Sequence, residues 1–203
     1  MTSMQRHYDM LRTVSRTFAL SIEHLPTILR DAITLAYLLF RVSDCLEDHD
    51  GLSVKEKVTL LRRWAQVLEG AEPVEALTGA LAELDSGDDE VYVAQHADVV
   101  LNGVRTLPSA LQTIITQGAH STTLGMARWQ AHGPYVEDET ALDDYMHQVA
   151  GKVGYLVTDV FAWYVPRLQA KMACLKALAR EFGLALQTVK IVRGMRKDDE
   201  RGW

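Results

Sequence analysis

The chain has 203 residues, 48% of them hydrophobic and 24% charged, enough for one well-buried core and without the bias of a disordered segment. Its net charge of −6 and lack of a Lys/Arg-rich block exclude the electrostatic footprint of a nucleic-acid binder. Two cysteines, Cys45 and Cys174, are too few for a disulfide framework and have no zinc spacing, which fits a reducing cytoplasm.

The opening residues are polar and contain no signal-type apolar stretch, and the apolar runs fall short of membrane-spanning length, while peripheral contact with a membrane stays open. Apolar residues 14–21 form a first segment, ended by a turn over 23–26. Pro26 suits the first turn of a helix that runs to about Glu47 or His49 and is broken by Gly51. Ser53, with Glu56 three residues on, predicts a capping box, and the helix after it shows its apolar face through Leu60, Leu61, Trp64 and Leu68 up to Gly70. Pro73 opens another helix through Leu77, Leu81 and Leu84, followed by a loop over 85–89. Residues 91–102 have helical spacing. Pro108 opens a long helix to Trp129, with small residues at Gly125 and Ala127 that let another backbone approach. After a loop over 131–139, residues 140–166 form the expected longest helix, interrupted by Gly151 and Gly154, and residues 169–201 form the last helices. No alternating β-pattern or internal repeat is present. The class is all-α, with residues 1–203 as one domain.

The chemistry concentrates where the helix beginning at Pro26 ends. Asp44, Glu47 and Asp48 stand at i, i+3 and i+4 and share a face, with Arg41 one turn before them. Acid-rich helix ends are commonly just solvated. Here, however, the carboxylates repel one another beside carbonyls that already carry partial negative charge, so a cation is expected. An oxygen-only ligand set suits Mg²⁺, which binds through one or two carboxylates and bridges to substrate phosphate. Farther on, Ala150, Gly151 and Gly154 make a smooth, weakly helical patch: either tight helix packing or a kinked helix lining a cavity for an apolar chain, with Tyr145 and Val149 on one face. At the end, Arg193 and Lys197 lie one turn apart with Asp198 beside them, either a solvated tail or a diphosphate-facing group.

Five stretches in order carry a family resemblance: Ser15-Arg16-Thr17-Phe18, the run from Arg41 to Asp48, Gly125-Met126-Ala127, the run from Tyr145 to Gly154, and the run from Gln187 to Asp198. Together they resemble the squalene/phytoene synthase family of head-to-head prenyltransferases, the squalene synthase branch above all. The resemblance implies an isoprenoid synthase-like helical bundle around a central apolar cavity, with two acidic motifs at its mouth. It implies Mg²⁺-assisted ionisation of an allylic diphosphate and joining of two farnesyl diphosphates through presqualene diphosphate, with NADPH as reductant in the squalene branch. By position, Asp44, Glu47, Asp48 and Asp198 would hold metal, with Asp44, Asp48 and Tyr145 catalytic. Arg16, Arg41 and Arg193 would bind diphosphate, and Phe18, Val149 and Gly151 would contact the substrate.

Two departures stand out. Lys190 replaces an Asn and Gly194 an Asp of the family's second motif, and family chains usually continue with further helices. An apolar surface left open by their absence would favour a homodimer. The alternatives to squalene formation are a phytoene or dehydrosqualene synthase-like enzyme without NADPH, or a truncated, weakly active homologue that binds prenyl diphosphate.

Overall fold

The structure is a computed structural model that describes residues 4–85 and 87–200, those from 194 on as helix backbone only. In chain order the helices are α1 Gln5–Val14, α2 Arg16–Glu23, α3 Thr27–Asp48, α4 Val54–Glu69, α5 Glu75–Ala80, α6 Asp89–Gln95, α7 Ala97–Val104, α8 Ser109–His132 and α9 Glu139–Met146. A π-turn, His147–Gly151, links α9 to α10 Lys152–Tyr164, and a 3₁₀ turn, Pro166–Lys171, leads into α11 Met172–Glu200. No strand occurs among the described residues.

Helix α3 is the axis of the bundle, touching α1, α2, α4, α6, α7, α8 and α10. Its Leu35, Leu38, Leu39, Val42 and Leu46 repeat at three- and four-residue intervals and are fully buried. Each such leucine contributes about 1.5–3 kcal/mol through removal from water. A buried polar chain fixes the register of three helices. The Trp64 indole of α4 donates to Ser43 Oγ at 3.2 Å, Ser43 pairs with Thr123 Oγ1 of α8 at 2.8 Å, and Thr123 donates to the Ala119 carbonyl at 2.8 Å. Such groups are tolerated in a core only when satisfied, so they favour this one packing.

Local chemistry explains most boundaries. Ser53 and Glu56 form the expected capping box, and Gly70 ends α4 with φ of 83°, a left-handed conformation that glycine adopts without steric cost. Four expectations need correction. The polar opening is itself a helix, α1, with Met10 and Leu11 buried. Residues 91–102 are two helices, because the chain breaks at His96. The helix after Pro73 lasts only from Glu75 to Ala80. The longest element is α11, since the π-turn divides the segment expected to be longest.

The glycine patch combines a break in the α-helix with tight helix packing. The π-turn occupies its first half, and the rest packs tightly: a Cβ on Gly154 would stand 2.6 Å from the Ala179 carbonyl oxygen, and one on Gly183 would stand 2.8 Å from that of Ala150. Gly125 likewise admits Gln148 of the π-turn. On its other side α11 presents Leu178, Phe182, Leu186, Val189 and Val192, each at least half exposed. No described helix is long and apolar enough to cross a membrane.

Candidate active site

The acidic end of α3 is assembled from four helices. Arg41 Nη2 lies 2.6 Å from Asp44 Oδ2 one turn on, and its Nη1 lies 3.5 Å from Glu90 Oε1 in the first turn of α6. The guanidinium also sits over the Tyr37 ring, 5.9 Å from its centre, and that ring meets Phe18 of α2 at 5.5 Å. Burial works against the Arg41 charge, but Asp44, Glu90 and Tyr37 together raise its pKa, so it stays cationic. Its Nε is buried without a protein partner.

The carboxylates differ in setting. Burial pushes the Asp44 carboxyl up against the opposing pull of Arg41 and Lys190, and Asp48 pushes the same way as burial. Glu47, 9% exposed, is pushed up to about 8 by burial and by Asp48 and Asp44, with Lys190 and Lys57 pulling down. Asp48 is exposed. A hollow of about 220 Å³ beside them is walled by Asp48, Asp50, Asp88, Glu90, His49 and Cys45. Burial pushes the Cys45 thiol up to about 12, so it is no thiolate ligand near neutrality.

Among the described residues no three His, Cys, Asp or Glu side chains converge as a ready metal cage. The donor set nevertheless fits Mg²⁺, which needs only one or two protein carboxylates with water and phosphate oxygens completing its shell. Asp44 and Asp48, mutually repelling and one turn apart, are the pair suited to that role.

Tyr145 is held near the same end. Its ring meets Trp129 edge-on at 5.6 Å, and the Trp129 indole donates to Asp144 at 3.1 Å. Gln148 also donates to Asp144, at 3.0 Å, and Arg128 pairs with it. Burial raises the Asp144 pKa, yet these partners hold it below the usual carboxylate range. In the same turn of α8, Gln130 donates to the Glu47 carbonyl at 3.3 Å, tying the Tyr145 region to the acidic end.

Gly151 is buried and Val149 packs on the main core. Arg16 and Arg193 are exposed and form no ion pair among the described residues. The Asp198 side chain lies outside the described residues. Sequence reasoning missed Asp88 and Glu90, reading 85–89 as a loop; the run of acids at 88–90, which caps and opens α6, was the available signal.

Comparison with known proteins gives the arrangement its context. Residues 11–203 match the family model for squalene/phytoene synthase. The squalene synthase of Schizosaccharomyces pombe is 30% identical over 97% of this chain and 42% of its own length. That of Yarrowia lipolytica is 31% identical over 97% and 44%. The structure of TcSQS in complex with the ligand BPH1237 superposes with a TM-score of 0.79 at 27% identity, covering 97% of this chain and 55% of that one. An all-α fold of this kind and a match over nearly the whole chain define a prenyltransferase family. The chain belongs to the squalene/phytoene synthase family, and it spans about half the length of the curated relatives it matches.

Proposed function

We propose that this chain binds farnesyl diphosphate with Mg²⁺ at the end of α3 and condenses two such molecules head to head, through presqualene diphosphate, in the manner of squalene synthase. The observation that carries this reading is Arg41, fixed between Asp44 and Glu90 with a buried Nε that has no protein partner, beside the Asp44 and Glu47 carboxyls that Asp48 helps to push up.

The difficult step is departure of diphosphate from an allylic carbon. Asp44 and Asp48 would hold Mg²⁺, which would supply Lewis-acid stabilisation of the leaving diphosphate. Arg41 is held by its two carboxylate partners, so its guanidinium is oriented before the charge develops. One preorganised donor of this kind is worth about 2.7–4 kcal/mol of barrier. Phe18 and Tyr37 offer aromatic faces beside it, suited to an allylic cation and its chain. Tyr145, whose ring meets Trp129 edge-on, would assist the proton removal that ends coupling. NADPH would enter only for the final reduction, after the two chains are joined.

The exposed apolar face of α11 favours a second reading, a diphosphate-binding homologue of low coupling activity. Water at an allylic cation gives an alcohol in place of the coupled product. Mass spectrometry after incubation with farnesyl diphosphate and Mg²⁺, with and without NADPH, separates the two. Squalene that requires NADPH supports the first reading, and farnesol-type alcohols alone support the second. Unconsumed substrate overturns both.

A further inference from the structure

A second hollow, of about 250 Å³, lies between α8, α10 and the start of α11; on a partly apolar lining it carries the polar groups of Gln117, Ser121, Lys152, Tyr155, Asp159 and Lys176. Along α8 its lining residues Gln117 and Ser121 stand about 20 Å and about 14 Å from Gln130, the residue that bonds the end of α3, at the helical rise. Lys152 is half-buried and forms no ion pair among the described residues, and its Nζ donates to the Ser121 carbonyl at 2.9 Å. A neutral acceptor leaves its charge uncompensated, and an ammonium has two further N–H groups to offer. Burial and the field of Arg128 both lower the Lys152 pKa, with Asp144 opposing, which is the signature of a cation short of an anion. Lys176 is already matched by Asp159 at 3.0 Å and stands 5.7 Å from the centre of the Tyr155 ring. The lining therefore carries one net positive charge, in a chain whose total charge is −6.

We propose that this hollow binds a phosphate group through Lys152 and Lys176, with the Tyr155 and Ser121 hydroxyls and the Gln117 amide available as neutral donors. Donors on three helices suit the several oxygens of a tetrahedral oxyanion better than the two of a carboxylate, and lysine binds phosphate as a point charge without needing a fixed fork. The volume lies below that of ordinary ligand pockets, which limits the occupant to inorganic phosphate or the head of a small monoester. Bound there, it would tie α10 to α8 and α11 immediately after the π-turn.

Calorimetry tests this in EDTA, which removes metal-dependent binding at the end of α3. Inorganic phosphate and glycerol 3-phosphate are titrated into the wild type, Lys152→Met and Lys152→Arg, with circular dichroism confirming equal helicity. Millimolar or tighter binding by the wild type is expected, weakened about tenfold or more in Lys152→Met and largely kept in Lys152→Arg. The Lys152→Met variant alone should unfold at the same or a higher temperature, because it loses a desolvated charge. Tighter binding of the monoester assigns the site to a phosphorylated molecule, and tighter binding of phosphate to the free ion; both support it. No binding of either probe, or equal affinity in wild type and Lys152→Met, overturns it.

Discussion

Arg41 and Asp44 meet at 2.6 Å one helical turn apart, and the other arm of the same guanidinium reaches Glu90 across the gap to α6. One residue thus joins two helices and aligns the acidic end of α3. Lysine can satisfy only one of these carboxylates at a time and presents no second donor face. Arg41→Lys should therefore lose about 1–3 kcal/mol of stability, below the cost of breaking a fully buried pair because both groups retain some solvent contact. It should also weaken Mg²⁺-dependent diphosphate binding. Urea unfolding and calorimetry check the two effects; a variant unchanged in both would remove Arg41 from the site.

Glu47 makes stability depend on pH. Its folded-state pKa of about 8 lies above its ordinary 4.5, so over that interval the folded chain keeps a proton that the unfolded chain has released. Its stabilising contribution is complete below about pH 4.5 and is lost as pH rises through 8. Glu47→Gln, neutral throughout, should be more stable than the wild type at pH 8 by on the order of a few kcal/mol, with most of the difference gone at about pH 4. Urea titrations at the two pH values decide it, and a pH-independent difference would contradict the assignment.

The packing of α10 on α11 predicts opposite outcomes for two glycines. Gly154→Ala adds a methyl 2.6 Å from the backbone oxygen of Ala179, which cannot swing aside, so about 1–3 kcal/mol should be lost despite the better helix former. Gly79→Ala in α5 meets nothing within 4 Å and should gain up to about 1 kcal/mol. Thermal melts compare them directly; equal shifts would mean α10 and α11 do not pack as described.

Much of this architecture was legible in the chain because it rests on local signals. The Ser53–Glu56 box and the apolar stripe of α3 each state their role within a few residues, and the Asp44, Glu47, Asp48 spacing gathers three acids at the end of α3. The contacts that complete the site were not legible, since they depend on tertiary approach. Glu90 joins Arg41 from a helix about fifty residues later, and Lys190 reaches the field of Asp44 and Glu47 from α11. Burial also sets the three acids in different surroundings. Glu47 shares a helix face with Asp44 and Asp48, yet packing removes it from water and leaves Asp48 as the exposed carboxylate.

Lys190 yields a further prediction. As a cation that draws down the pKa of Asp44 and Glu47, it competes with a metal for the same field. Lys190→Asn, alone or with Gly194→Asp to add an oxygen ligand, should raise Mg²⁺ affinity by about tenfold, near 1.4 kcal/mol. Calorimetric titration of Mg²⁺ measures this, and lower or unchanged affinity would show that Lys190 does not oppose the metal.

The central claim is that the end of α3 expels diphosphate from an allylic substrate with the help of Asp48. Release of inorganic diphosphate from farnesyl diphosphate, followed in Mg²⁺ and in EDTA for the wild type and Asp48→Asn, tests it whatever hydrocarbon or alcohol forms afterwards. Release should require both Mg²⁺ and Asp48, falling by about a hundredfold or more in the variant at unchanged helicity. Release at the wild-type rate by Asp48→Asn, or no Mg²⁺-dependent release by the wild type, would contradict it.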